Sequence, residues 1–145
     1  MGIRFEEASL PPLEGLTAEI PAGAVVGLTG EDGAAIEAVL IMAGAFQPPA
    51  AGAVQTAPPA RWIGYSDALN LSPAGTVVLH HALARHDMVA RAGALIGLER
   101  LRREGACILM ASHETDLLRA ICDEVWWLDG GRLAMRGDPG EVLEA

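Results

Sequence analysis

The sequence contains few aromatic and few basic residues. Aromatic side chains make up 4% of its 145 residues, so a core would consist mainly of Ala, Val, Leu and Ile. Lys and Arg total 10 against 19 Asp and Glu, which gives a formal net charge of −9. General nucleic-acid binders and polybasic membrane-surface proteins carry basic faces. The acidic balance therefore argues against both classes, and we expect no nucleic-acid partner.

Cysteines are scarce, and long apolar segments are missing. Cys107 and Cys122 cannot form a disulfide framework and have no partner at CxxC spacing, which favours a reducing compartment. The apolar runs are too short and too often broken by glycine to span a bilayer. The first residues lack the apolar run of a signal peptide. We expect a soluble cytoplasmic protein without direct membrane insertion.

Strand, loop and helix patterns alternate along the chain. Uninterrupted apolar runs predict strands buried on both faces at 24–29, 76–80 and 107–111. Weaker strand patterns occur at 3–8, 16–20, 53–56 and 61–65, with the first expected at a sheet edge. Helices are predicted over 34–45, 88–104 and 112–121, and from Asp138 onward.

A hairpin is predicted near the end of the chain. Asp129-Gly130-Gly131 separates two apolar runs, 125–128 and 132–135. Period-2 geometry places Trp126 and Trp127 on opposite sheet faces, although a partner surface is the alternative for these two rings. Together the patterns predict a single α/β domain over 1–145. It has a mostly parallel sheet flanked by helices, antiparallel edge strands and a C-terminal hairpin.

Two blocks of this sequence resemble the ATP-binding subunits of ABC transporters. The first contains GAVVGLTGEDGA from Gly23, a helix and then Gly52-Ala53-Val54. The second contains ILMASHE from Ile108, followed by LDGGRL from Leu128. The resemblance implies a P-loop NTPase-like fold. It also implies that residues 30–37 correspond to the phosphate loop, Asp87 to the D-loop aspartate and His113 to the switch histidine.

The phosphate-loop segment departs from the pattern that phosphate binding needs. A working loop reads GxxxxGK[ST], in which Lys holds phosphate and the hydroxyl holds Mg²⁺. Counted from Gly30, these last three positions are Ala35, Ile36 and Glu37. The candidate nucleotide-binding residues are therefore those of the altered loop: Gly30, Glu31, Asp32, Gly33, Ala34, Ala35, Ile36 and Glu37. Its three carboxylates would repel a triphosphate.

The remaining family motifs are also altered. His80 and His81 follow the hydrophobic residues Val77, Val78 and Leu79, where the family has the Mg²⁺-binding Asp and the catalytic Glu. Ser66-Asp67 stands where Gln is expected, and no LSGGQ-like signature occurs. The chain between Tyr65 and Thr76 is too short for the family's helical subdomain. These departures predict a chain without ATPase turnover.

Three functions remain open at this point. The favoured one is a binding or regulatory module linked to transport, with no bound cofactor. A second is an inactive subunit that binds ATP and Mg²⁺ weakly beside an intact partner. Partners in either case would be other ABC-transporter subunits or a second copy. A third is an anion- or metal-binding protein on the same scaffold.

The metal alternative depends on histidines near the predicted carboxyl edge of the sheet. His80, His81 and His113 could hold Zn²⁺ through imidazole nitrogens, with Asp87 nearby. In a continuing strand, His80 and His81 would point to opposite faces and could not share one ion. The alternative is that they are loop histidines of a former nucleotide site. Gly30 and Gly33 could likewise form an anion nest or an inherited strand–helix turn.

Overall fold

The computed structural model describes residues 2–65, 67–84 and 86–144. These residues form nine strands and four helices. The strands are β1 Ile3–Leu10, β2 Leu13–Ile20, β3 Val25–Gly30, β4 Ala51–Gln55, β5 Ala60–Ile63, β6 Thr76–His80, β7 Cys107–Ala111, β8 Glu124–Asp129 and β9 Arg132–Gly137. The helices are α1 Gly33–Ala43, α2 Met88–Arg103, α3 Thr115–Ile121 and α4 Pro139–Leu143.

The strands form two sheets. The larger has the order β5-β6-β7-β3-β8-β9 and is parallel except for the antiparallel β8–β9 hairpin. The smaller is antiparallel, with the order β2-β1-β4. This is the predicted α/β architecture, including its antiparallel strands and closing hairpin. The prediction of an edge position for the first strand is wrong, because β1 pairs on both sides.

Each face of the large sheet has its own apolar layer. Alternate strand residues such as Val26 and Leu28 pack with α1 and the small sheet. Strand residues that point to the other face of the sheet, such as Val77 and Ile108, pack with α2 and α3. Strands covered on both faces read as continuous apolar runs, which explains why β3, β6 and β7 were recognisable from the sequence.

Several predicted boundaries shift for local reasons. Strands β1 and β2 extend to Leu10 and Leu13, which pair across the turn, because Pro11 and Pro12 form that turn rather than interrupting a strand. Helix α1 ends at Ala43, and the Gly44 N–H bonds to the Leu40 oxygen. Helix α3 begins at Thr115 rather than 112. The Ser112 hydroxyl accepts a bond from the Glu114 N–H in the preceding turn.

The two adjacent tryptophans separate as period-2 geometry predicts. Trp126 is fully buried in the layer that contains α1, while Trp127 packs against the opposite layer. The Trp126 ring meets Phe5 of the small sheet edge-on, with centroids 6.1 Å apart. Both cysteines are buried free thiols. Among the described residues, no helix combines the length and apolar character that crossing a bilayer requires.

Candidate functional site

The candidate site lies at the carboxyl edge of the large sheet. Strands β6, β7 and β3 are neighbours, and they end at His80, Ala111 and Gly30. The segments that follow them therefore meet at one edge. Open α/β sheets bind ligands in this position. His80 is the last residue of β6 and His113 follows the neighbouring strand β7, so both histidines lie at the carboxyl edge of the sheet, as predicted.

The loop at 30–37 is closed by one carboxylate. Asp32 is the N-cap of α1, and its Oδ1 accepts a hydrogen bond from the Ala35 N–H at 3.0 Å. Its Oδ2 accepts a bond from the Gly131 N–H at 2.8 Å. Asp32 thereby joins the start of α1 to the turn of the β8–β9 hairpin. Both of its oxygens are engaged by backbone donors.

The backbone at position 30, the start of the loop, requires glycine. Gly30 has φ of +132°, a conformation that other residues rarely adopt. A Cβ at this position would also overlap the Leu128 backbone of β8. Gly33, in contrast, has open space around its Cα. The close approach of β3 and β8 therefore requires Gly30 whether or not a ligand binds.

The other loop residues divide into a buried and an exposed group. Ala35 and Ile36 belong to the apolar core, with Ile36 only 4% exposed. Gly33, Ala34, Glu31 and Glu37 are exposed. Among the residues that the structure describes, neither glutamate has a hydrogen-bond or ion-pair partner. The accessible surface of this loop therefore carries unpaired negative charge.

Three histidine rings lie side by side. Strand β6 ends at His80, and His81 turns out of the strand with φ of +56°. The expectation of opposite faces therefore does not apply, since the His80 and His81 rings are 4.9 Å apart. His81 also stacks on His113, with centroids 5.3 Å apart and planes 26° apart. Burial, then the neighbouring His80 and His113, lowers the pKa of His81 below its ordinary value.

The ring geometry does not favour one shared metal ion. A metal ion lies close to the plane of each imidazole that binds it. The His81 and His113 planes are stacked nearly parallel, so their nitrogens do not converge on a common point. No group of three His, Cys, Asp or Glu side chains within 2–65, 67–84 and 86–144 could hold an ion as placed. The metal site on His80, His81 and His113 remains a prediction.

Asp87 takes a structural position. It is the N-cap of α2, and its Oδ1 accepts a hydrogen bond from the Ala90 N–H at 2.8 Å. One turn later, Arg91 donates to the Leu83 oxygen at 2.7 Å and pairs with Glu114 at 3.0 Å. These bonds connect α2 to the segments after β6 and β7. Ser66, at the position where the family has Gln, lies outside the described residues.

Sequence reasoning missed two features of this edge. The first is the link from Asp32 to Gly131, although an aspartate three residues before an open helix N–H could have suggested the cap. The second is a continuation of the ring series. The Trp62 ring lies 5.5 Å from His80 and 5.7 Å from Phe46. No local pattern predicts contacts between residues so distant in sequence.

Two curated proteins show partial sequence similarity. A 50-residue segment is 44% identical to a zinc import ATP-binding protein, ZnuC, from Halorhodospira halophila. A 46-residue segment is 39% identical to an ABC transporter ATP-binding protein, alr3946, from Nostoc sp.. These segments cover 34% and 32% of this chain, and 19% and 17% of the two relatives. No protein-family model matches the sequence.

Solved structures resemble the whole described fold at low sequence identity. CbiO1 from Clostridium perfringens, part of the ABC transporter complex cbiONQ, aligns with TM-score 0.76 and 15% identity over 98% of this chain and 90% of its own. An ATP-binding subunit of an ABC transporter aligns with TM-score 0.81 and 14% identity over 99% of this chain and 92% of its own. A bacterial Atm1-family ABC exporter with ATP bound aligns with TM-score 0.80 and 13% identity over 99% of this chain and 39% of its own. The chain thus resembles ABC-transporter ATP-binding subunits in segments of sequence and in fold.

Proposed function

We propose that this chain is a binding or regulatory module related to the ATP-binding subunits of ABC transporters, and that it does not hydrolyse ATP. The observation that carries the proposal is the position of Asp32. In a phosphate loop, backbone N–H groups at the start of the helix hold the phosphates. Here the Asp32 carboxylate accepts a bond from one such donor, the Ala35 N–H, and a second bond from the Gly131 N–H in the turn of the β8–β9 hairpin.

The chemistry of the neighbouring positions supports the same conclusion. Ile36 replaces the lysine that would neutralise phosphate, and its side chain is buried in the core. Glu37 replaces the hydroxyl that would bind Mg²⁺ and adds an exposed negative charge. The N-terminus of a helix favours an anion. In this chain the Asp32 carboxylate is that anion, so the start of α1 needs no bound phosphate for its stability.

The sheet edge supports the loss of turnover independently. His80 and His81 stand where the family supplies carboxylates to Mg²⁺ and to the attacking water. Their rings are occupied in contacts with Trp62, with each other and with His113. Losing individual charge-stabilising groups costs a hydrolase orders of magnitude in rate. Joint loss of the lysine, the hydroxyl and both carboxylates predicts no measurable turnover.

A module linked to transport is the role that fits the retained scaffold. Strands β5 and β6 are joined by only residues 64–75, which is too short a connection for the family's helical subdomain. That subdomain carries the signature motif in active members. The chain would therefore act by binding other proteins through the scaffold, with transporter subunits as the proposed partners, rather than by supplying ATP hydrolysis.

A turnover assay with a restored loop tests the proposal. The purified chain should release no phosphate from MgATP above a blank purification. The variant Ala35→Gly, Ile36→Lys, Glu37→Thr restores the GxxxxGK[ST] pattern but not the two carboxylates, so it should also release no phosphate, and its fold is checked by circular dichroism. Glu37→Ala alone, at an exposed position, removes charge without a core change and serves as the matched control. Turnover by the unmodified chain that follows its elution peak would overturn the proposal.

A further inference from the structure

Helices α2 and α3 form a small apolar cavity with the large sheet. Its volume is about 100 Å³, whereas one water molecule needs only roughly 10–15 Å³. Its floor is the pair Val25 and Ile108, which are in register on the neighbouring strands β3 and β7 and are both buried. Protein interiors contain few voids larger than a water molecule. A space of this size beside the core is therefore large enough to admit a ligand.

Side chains of the two helices line the walls of this cavity. The α2 wall consists of residues three or four positions apart, which share one helical face: Leu95, Leu98, Glu99 and Arg102. Ala120 and Ile121, in the last turn of α3, form the other wall. Leu98 is buried and Ala120 is exposed, so the cavity opens to solvent between the two helices. We call this space the α2–α3 cavity.

The charged groups beside the α2–α3 cavity are paired with one another. The Arg102 guanidinium donates to Asp123 Oδ1 at 3.1 Å and lies 3.7 Å from a Glu99 carboxylate oxygen. The Asp123 Oδ2 accepts a bond from the Val25 N–H at 2.8 Å. Glu99 also pairs with Arg103 at 3.3 Å. A charged ligand would have to break one of these pairs, because each cation and each carboxylate at this place already has a partner.

The lining also provides no buried side-chain polar atom that needs a water molecule. Within the described part of the chain, the buried side-chain polar atoms without a hydrogen-bond partner belong to His86 and Arg91. Neither residue lines the α2–α3 cavity. Apolar cavities without such atoms stay dry and bind apolar molecules. The chemistry of the lining therefore favours an apolar occupant over water.

We propose that the α2–α3 cavity binds a small uncharged apolar molecule. An apolar cavity of roughly 150 Å³ accommodates benzene. The α2–α3 cavity is smaller and fits an apolar group of about four carbon atoms. Simple hydrocarbons and short-chain alcohols are the ligand class, and an alcohol would place its hydroxyl in the opening that faces solvent.

This cavity is separate from the candidate site at the carboxyl edge of the sheet. Val25 is the first residue of β3 and Ile108 is the second of β7, so the cavity lies near the amino ends of both strands. The altered loop begins at Gly30, at the other end of β3. Binding in the cavity therefore does not depend on the proposed loss of ATP hydrolysis, and the two proposals are tested separately.

Titrations followed by methyl NMR test the size and the charge of the ligand. The full chain is titrated with xenon and with three molecules that carry the same butyl chain: butan-1-ol, butylammonium and pentanoate. Xenon and butan-1-ol should shift the methyl signals of Leu98 and Ile108 until the shifts saturate. Both ions should bind more weakly than the alcohol, because the cavity offers them no free counter-charge. An absence of saturable shifts with xenon and butan-1-ol overturns the inference, as does tighter binding of either ion.

Substitutions in the walls locate the bound molecule. Ala120→Leu fills the cavity from the surface of α3 and should weaken butan-1-ol binding at least about 10-fold. Ala92→Leu, at an exposed position of α2 outside the cavity, is the matched control and should leave binding unchanged. Leu95→Ala enlarges the cavity from a half-buried position and should raise the affinity for hexan-1-ol. Binding that Ala120→Leu leaves unchanged, or the lack of any gain with Leu95→Ala, would contradict the assignment.

Discussion

At the scale of single residues, Asp32 explains most about the candidate site. Its carboxylate caps α1 and also holds the turn of the β8–β9 hairpin. The position that would approach a bound phosphate thus carries a structural anion. Glu31, next to it in sequence, is exposed and has no such contacts within the described residues. A comparison of substitutions at Asp32 and Glu31 therefore distinguishes the effect of the capping bonds from the effect of negative charge in this loop.

Asp32→Ala should destabilise the chain by about 1–3 kcal/mol. An N-cap contributes about 0.5–2 kcal/mol, and the Gly131 N–H also loses its acceptor. Glu31→Ala should change stability by no more than about 0.5 kcal/mol. Urea unfolding of both variants measures the difference. Equal stability of Asp32→Ala and the unmodified chain would show that the capping bonds contribute nothing.

His81 should make stability depend on pH. Burial, together with the neighbouring His80 and His113, lowers the pKa of His81 in the folded state. The unfolded chain therefore binds a proton more readily below pH 6.5, the ordinary value. Stability from this group is present above that pH and is lost as the pH falls towards the folded pKa.

The comparison with His81→Asn measures that contribution. Asparagine accepts the left-handed φ of this position but does not titrate. Between pH 7.5 and 5.5, the free energy of unfolding should fall more for the unmodified chain than for His81→Asn. Parallel pH profiles for the two proteins would contradict the assignment.

The two thiols should be unreactive in the folded chain. Burial raises the pKa of Cys107, and burial with the nearby Asp123 carboxylate raises the pKa of Cys122 to about 12. Thiolates are the reactive species. Titration with a chromogenic disulfide reagent at pH 8 should therefore detect both thiols only after denaturation. Rapid labelling of the native chain would show that one of them is accessible.

At the scale of elements, strand β1 connects the two sheets. It is the central strand of the small sheet, and its Phe5 packs edge-on against Trp126 of the large sheet. Trp126 in turn donates to Glu124 at 2.6 Å, and Glu124 pairs with Arg136 at 2.8 Å. The small sheet is thus fixed to the large one by an aromatic contact supported by a polar network.

Two phenylalanines test this connection against each other. Phe5→Ala should cost about 3–5 kcal/mol, because its ring is 1% exposed and its removal leaves a cavity. Phe46→Ala removes the same side chain at a position that is 47% exposed. Its cost should stay below about 1 kcal/mol. Similar losses in thermal unfolding would mean that Phe5 does not join the sheets.

At the scale of the whole molecule, the sequence predicted the architecture better than the site. Apolar runs, turn residues and the order of motifs were enough for the parallel sheet and the hairpin, because buried strands carry their signature locally. The central position of β1 was not predictable, since its second partner, β4, lies about fifty residues away. The same limit applies to Asp32 and Gly131, which are 99 residues apart.

The histidine cluster shows both sides of this limit. Family topology indicated that His80, His81 and His113 would lie at one edge, and their rings are neighbours. The end of β6 at His80 and the left-handed backbone of His81 decide how the rings face each other. No periodic pattern in the sequence predicts either of these two features. Residue types therefore suggested metal binding, while the ring planes favour stacking.

Calorimetric titration of the purified chain with MgATP is the most direct test of the central claim. It should be made at protein concentrations that detect millimolar affinity. We expect no binding isotherm, because Asp32 engages the Ala35 N–H of the loop and, on the proposed correspondence, Ile36 and Glu37 stand where the phosphate-binding lysine and the Mg²⁺-binding hydroxyl would be. A one-site isotherm that disappears without Mg²⁺ would contradict the account, since it would mean that this loop still holds a nucleotide.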